Sequence, residues 1–386
     1  MREGHASHWP VVAAIVGLGV AVAIQVGKVP AALTTLAEAF GQPLAGAAML
    51  VSVFALLAGL AGLPLGLRAG RLGARRALLL GAAIATLAAA AAAAAPGFGT
   101  LLTARVFEGL GFLLIVSAAP GIIAAVVTGG RRNTAMALCG AYMPLGAALG
   151  LASAMIVETG GWRLAWWLAA GALALASLAA AASLRGVPGL PTRGLPLGAA
   201  LRGVAADRAA RAIACTFASY NGVYFAISVL LPALLAQSFG WTVSVSGYAG
   251  AAAVLANGLG NLAAGWLFHR GVAPARLLRP AAIGLGLFGA GCWLAPTAPL
   301  AVALACGACL LGGMIPAALF AILPAAVPQA LTPAAMGLLI QANNIVQLTV
   351  PLAMAALAGV GWPWLAPCMI GFALGAALAA RPLSAD

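Results

Sequence analysis

Charge is what this sequence has least of. Charged residues make up 6% of its 386 positions, against about 25% in soluble domains. There are six acids, and Lys28 is the single lysine among 19 basic residues. With 64% hydrophobic residues, the chain has too little polar surface to cover a fold in water, so most of it must sit in lipid. The means for common chemistries are missing as well. No metal-binding motif, nucleophile–base pair or phosphate-cradling glycine loop occurs, so the chain reads as no enzyme and calls for no cofactor. The six cysteines (Cys139, Cys215, Cys292, Cys306, Cys309 and Cys368) all fall in apolar runs. They read as small packing residues; Cys306 and Cys309 share a helical face but have no His or acid beside them. The net charge of +13 raises nucleic acid as a partner. The arginines, however, are scattered through short connections and form no patch on a soluble face, which sets that partner aside.

Long apolar runs are what the sequence has. A membrane span needs about 20 apolar residues, and twelve stretches qualify: 10–34, 43–67, 77–95, 99–127, 134–157, 164–184, 211–236, 244–268, 280–296, 298–327, 333–358 and 363–380. The first, preceded by Arg2, is too long for the apolar region of a signal peptide and has no clear cleavage site. The expected fold is therefore all-α, with twelve transmembrane helices. The longest connection, 185–210, is polar, basic and broken by Pro and Gly. It divides the chain into a half at 1–184 and a half at 211–386.

Arginine placement gives an orientation. With the N-terminus inside, sixteen of the eighteen arginines become cytoplasmic, Arg163 alone falls outside, and Arg105 lies within a span with Lys28. Both termini are then cytoplasmic, in the inner membrane of a bacterium. An internal repeat supports two pseudo-symmetric halves. Thr134–Leu138 faces Ala334–Leu338 at an offset of 200, and Ile115, Ala125 and Val127 face Ile315, Ala325 and Val327. Gly59, Gly66 and Arg71 face Gly258, Gly265 and Arg270 at 199. Parallel six-span repeats with a site between them are one plan for moving a solute across a membrane.

After span 2 the chain reads GLRAGRLGARR, residues 66–76. This resembles the signature of the major facilitator superfamily, matched here by Gly66, Arg71, Gly73, Arg75 and Arg76. The acidic position of that signature holds Gly70, so the charge latch the resemblance implies on the cytoplasmic side lacks its acid. Arg105-Val-Phe-Glu-Gly109 resembles the family's fourth-helix motif. Gly140–Gly150 partly resembles the antiporter motif of span 5, with Pro144 and Gly146 present and Met143 where a glycine is expected. QVGKVP, RVFEGLGF, AYMPLG and GWRLAWW together are similar to the cyanate/nitroimidazole permease-like branch. The resemblance implies a secondary transporter, with Gly66, Arg71, Gly73, Arg75, Pro144 and Gly146 in gating or conformational roles. It also implies a small-molecule substrate and a monomer in the bilayer.

Span 4 carries Arg105 and Glu108, three residues apart and so on one helix face. Glu108 is the only acid inside a span. Charges at that depth cost several kcal/mol and usually face a partner or a wet cavity. Lys28, with Gln25 on the same face of span 1, lies at a matching depth of roughly 10 Å below the outer boundary. Two cations together suggest an anion site, and Glu108 is the expected proton carrier if transport is proton-coupled. The alternative is an Arg105–Glu108 structural pair with Lys28 snorkelling to the surface. The second half offers uncharged groups: Tyr224, Gln341 and Asn344 are expected substrate contacts, whereas Asn257 and Asn261 are expected to bond between helices. Three functions follow: a transporter of a small anionic or polar solute, a proton-coupled exporter of drugs or amphiphiles, and a non-transporting membrane sensor. Pro30, Pro120, Pro144, Pro232, Pro316 and Pro351 are expected to kink their spans.

Overall fold

The computed structural model describes residues 9–127, 131–185 and 196–383. The described chain is helical, and eleven helical stretches are long and apolar enough to cross a membrane. The twelfth span is split between two assigned helices. Span 5 is Arg131–Ala152 together with the turns of Ala154–Ser183 that precede Gly161; span 6 is the remainder. Gly161 has φ of 79°, a left-handed conformation that a side chain would resist, and it separates the two spans. Large apolar side chains cover the outside. Leu87, Leu175 and Val360 are 72%, 71% and 75% exposed, which suits lipid and not water.

Some boundaries depart from the sequence expectation. Span 1 is Trp9–Ala31, and after a break at Ala32 it continues as Leu33–Ala39. Span 2 is built from Leu44–Ser52, a 3-10 turn at Val53–Ala55, and Leu56–Leu72 with a further break at Ala61. Spans 4, 7, 10 and 11 run helical through Pro120, Pro232, Pro316 and Pro351. The marked break at Ala61 lies in the turn before Pro64, whose missing N–H leaves the Leu60 carbonyl unbonded within the helix, and the break at Gly161 has no proline beside it. The connection expected at 185–210 is not all loop: Leu197–Ala206 is a helix. Its Ala200 and Val204, four residues apart, are buried, and Gly203 lies against the Leu331 side chain at the start of span 11. Residues 186–195 lie outside the described ones. Asp207 then caps span 7, its carboxylate accepting from the Ala210 N–H at 2.7 Å.

Close helix contacts repeat at the offset seen in the sequence. A β-carbon on Gly59 of span 2 would sit 3.3 Å from the backbone of Asn344 in span 11, and one on Gly258 of span 8 would sit 3.2 Å from Pro144 in span 5. Gly59 and Gly258 are 199 residues apart, and Pro144 and Asn344 are 200 apart. About one helical turn off that register, Gly109 of span 4 abuts the Phe54 carbonyl of span 2, and Gly313 of span 10 abuts the Asn257 carbonyl of span 8. Small residues let helix backbones meet this way where lipid gives no hydrophobic drive. Span 1 packs the same way on span 5: Gly27 meets the Ala147 carbonyl, and Gly150 faces the Gly27 Cα at 2.7 Å from a would-be β-carbon.

Candidate functional site

Span 1 carries Gln25 and Lys28 on one face, and span 4 carries Arg105 and Glu108 on one face. The structure brings the four together. Lys28 Nζ donates to Glu108 Oε1 at 2.9 Å and to Gln25 Oε1 at 2.5 Å. Arg105 Nη1 donates to the other Glu108 oxygen and, at 2.9 Å, to the Gln25 carbonyl. Arg105 Nε donates to the Leu50 carbonyl of span 2 at 3.0 Å, and the guanidinium lies over Phe54 at 4.5 Å. Gln25 Nε2 donates to the Ala169 carbonyl of span 6 at 3.1 Å. Lys28 Nζ stands 4.9 Å from the centroid of Trp166, also in span 6. Lys28, Gln25, Glu108 and Trp166 are 0% exposed and Arg105 1%.

Lys28 therefore does not snorkel. Arg105 and Glu108 do pair, as one alternative expected, but in a cluster of three charges. The cluster also departs from the expectation that Lys28 and Arg105 face the central cavity. They lie among spans 1, 2, 4 and 6, because the face of span 1 that carries Gln25 and Lys28 turns toward spans 4 and 6. Val26, Gly27 and Pro30, on another face of span 1, line a small cavity between the two halves instead. That cavity is about 20 Å³ and is bounded by Val51, Met143, Ala147, Leu151, Tyr224, Phe225, Ser228, Val229 and Val254. It has room for about one water.

The charge count is uneven. One carboxylate faces two cations, so with all three ionised the cluster carries one positive charge in excess. The Trp166 Nε1–H beside it has no acceptor. Trp166 and Phe54 are the members that sequence reasoning missed. The apolar pattern around them carries no polar signal, and only the aromatic run GWRLAWW hinted at span 6.

Second-half residues sit apart from this cluster. Tyr224 stacks on Tyr220 at 5.9 Å and borders the central cavity. Gln341 Nε2 donates to the Gly59 carbonyl at 3.1 Å, tying span 11 to span 2. Asn344 Nδ2 donates back to its own helix at the Ile340 carbonyl, 2.8 Å away. Asn257 bonds between helices, as expected: it donates to the Tyr220 hydroxyl at 3.0 Å and to the Cys309 carbonyl at 3.2 Å. This neutral network joins spans 7, 8 and 10, the repeat counterparts of spans 1, 2 and 4. Charge in one half is thus matched by hydrogen bonding in the other.

Among the expected gating residues, Gly73 has φ of 86° and starts span 3. Arg75 is half-buried, and its Nε has no partner. Pro144 packs on span 8 and Gly146 on span 1 at Val20 and Ala23. Gly66 and Arg71 lie on the span 2 helix, but their side-chain surroundings lie outside what is described. At the Arg-poor end, Glu158 of span 5 accepts from the Ser244 N–H at 2.6 Å, at the start of span 8. A pit of about 640 Å³ opens beside it, lined by Glu38, Gln42 and Gln237 among others.

Comparison with known proteins agrees with this architecture. No curated protein matches the chain. Among solved structures, an inward-facing, unoccupied bacterial homologue of the human lysosomal transporter Spinster superposes with a TM-score of 0.77 at 16% identity, covering 99% of this chain and 98% of that one. Its occupied form gives 0.80 at 15% identity over 99% and 98%. The human organic anion transporter MFSD10 gives 0.74 at 17% identity over 97% and 99%. At such identities the likeness is one of fold. The sequence profile of the Major Facilitator Superfamily matches residues 11–311, and with spans, repeat contacts and motifs in agreement, the chain belongs to that superfamily of membrane transporters.

Proposed function

We propose that the protein carries a small organic anion across the membrane by alternating access, coupled to protons, with both termini on the cytoplasmic side. What supports this reading is a buried cluster in which two basic side chains, Lys28 and Arg105, share the single carboxylate of Glu108. An unpaired charge in such a place costs several kcal/mol, so the site favours a negative ligand whenever it opens. The unspent Trp166 N–H adds a donor. A cavity of about 20 Å³ admits no organic solute. On this reading the halves 1–184 and 211–386 separate for a substrate to enter, and span 1 shifts for Lys28 to meet it. Gln25, Lys28 and Arg105 would hold the anion from one side, and Tyr224, Gln341 and Asn344 would shape the other. Gly66, Arg71, Gly73, Arg75, Pro144 and Gly146 would serve the motion.

The apolar border of the central cavity, with Met143, Phe225, Val229 and Val254, favours a substrate with an apolar body. It also supports a second reading, export of amphiphilic molecules. Uptake of labelled monocarboxylates into liposomes holding the purified protein tests the first reading. Arg105→Gln should abolish uptake while the protein stays monodisperse. Undiminished uptake by that variant would overturn the anion site, and transport of neutral or cationic amphiphiles alone would favour the second reading.

A further inference from the structure

Span 1 carries Pro30 inside Trp9–Ala31, and span 7 carries Pro232 inside Arg208–Phe239. Proline has no N–H, so the carbonyl four residues earlier loses its helical donor. The residues so affected are Val26 and Ser228, and both border the small cavity between the halves. The pair is a product of the repeat: Pro30, Ala31 and Leu33 face Pro232, Ala233 and Leu235 at an offset of 202, as Val26 faces Ser228. A backbone polar group at membrane depth finds no partner in lipid and must be satisfied inside the protein. Among the described residues no side chain donates to either carbonyl. What enters the cavity is left to do so.

Two hydroxyls border the same cavity and are also unspent. A helical hydroxyl ordinarily bonds the carbonyl one turn back, as Thr216 Oγ1 does to Ala212 at 2.8 Å. Ser228 is 8% exposed, and its Oγ bonds to no described residue. Tyr224 lies one turn before it on the same face of span 7. Its ring is held 5.9 Å from Tyr220 and 5.5 Å from Phe225. The Tyr220 hydroxyl accepts from Asn257, whereas the Tyr224 hydroxyl has no partner among the described residues. All other side chains at the border are apolar.

We propose that this cavity binds a hydrogen-bond donor, so that the transported solute carries a hydroxyl or amide N–H on its apolar body as well as a negative group. The proposal rests on the anion reading above and narrows its substrate class. The Val26 and Ser228 carbonyls, one from each half, receive the donor, and the Ser228 and Tyr224 hydroxyls can accept from it or donate back to it. A cavity of about 20 Å³ has room for about one water, and one water has a hydrogen for each carbonyl. A solute entering between the halves displaces that water. A wholly apolar body leaves both carbonyls without a donor, and the loss falls on the bound complex. A hydroxyl or amide restores the bond. Because one carbonyl belongs to each half, a donor held between them also draws spans 1 and 7 together.

Phenyllactate and phenylpropionate, which differ by one hydroxyl, test the idea. Given together with different labels to liposomes holding the purified protein, they yield an uptake ratio that does not depend on how much protein is active. Wild-type protein should favour phenyllactate by about tenfold. Uptake of both acids at equal rates would overturn the donor site and leave the anion reading standing. Pro30→Ala and Pro232→Ala each give one carbonyl back its helical N–H, so each should lower the ratio by about threefold. An unchanged ratio in both would overturn the role of the freed carbonyls. Ser228→Ala serves if the proline variants are inactive. It should lower the ratio as well, and an unchanged ratio would then overturn the proposal. If neither acid is moved, thermal unfolding with phenylacetamide and with its N,N-dimethyl derivative separates the two readings. Stabilisation by phenylacetamide alone would refute the anion reading and keep the donor site, and equal effects would refute both.

Discussion

Removing Glu108 and removing Lys28 should have very unequal costs. Glu108→Gln leaves Lys28 and Arg105 facing each other without a counter-charge. At 2.9 Å and an effective dielectric of about 20, the lost attraction to Lys28 alone is about 6 kcal/mol before desolvation is set against it. Stripping one partner from a buried pair costs about 3–5 kcal/mol in practice. Lys28→Met is different. It leaves Arg105 and Glu108 as a balanced pair and puts an apolar chain of similar length in an apolar place. What is lost is the bonds to Glu108 Oε1 and Gln25 Oε1 and the contact with Trp166, and what is regained is the desolvation cost of the ammonium, so the net cost should be the smaller of the two. Reversible unfolding in mixed micelles, titrated with a denaturing detergent and followed by tryptophan fluorescence, would measure both. Equal costs, or a greater cost for Lys28→Met, would refute the argument that the cluster holds one cation too many.

Two further outcomes test the frame around the cluster. Gly27→Val places a β-carbon against the Ala147 carbonyl, and backbone cannot yield as a side chain can. Thermal unfolding should show a loss of about 3 kcal/mol, and an unchanged transition would mean that spans 1 and 5 do not meet there. Glu158→Ala removes the acceptor for the Ser244 N–H at the start of span 8. Spin labels at Thr159→Cys and Ser238→Cys should then report a broader, longer distance across the Arg-poor end, whereas an unchanged distribution would show that this bond does not hold that end together.

Lipid residence was legible because it follows from composition and from run length, which are local quantities. The depth of Lys28 and Arg105 was legible for the same reason: counting residues from a span boundary at a fixed rise places both at one level, and the structure joins them there. The bond from Asn257 to a neighbouring helix followed from the scarcity of partners in an apolar run. Span 2 was harder. Its turn at Val53–Ala55 carries no proline and lies where Phe54 meets Gly109 of span 4, whereas its break at Ala61 precedes Pro64, which was not among the prolines expected to kink. The helix at Leu197–Ala206 was also missed, because its small apolar face acquires meaning only against the start of span 11.

By itself the sequence determined that the chain lives in a bilayer as twelve helices, with one acid and two cations inside its spans. It also carried the repeat that pairs span 2 with span 8. Only the tertiary structure decided which way those charges face. Rotation of a helix about its axis changes no residue count and little of its apolar pattern when nearly every position is apolar. Packing of Gly27 on Ala147 fixes that rotation for span 1, turning Lys28 away from the central cavity and onto Glu108 and Trp166. Two cations and one acid were countable in the sequence, but that one carboxylate meets both, one oxygen to each, shows only when spans 1 and 4 are packed.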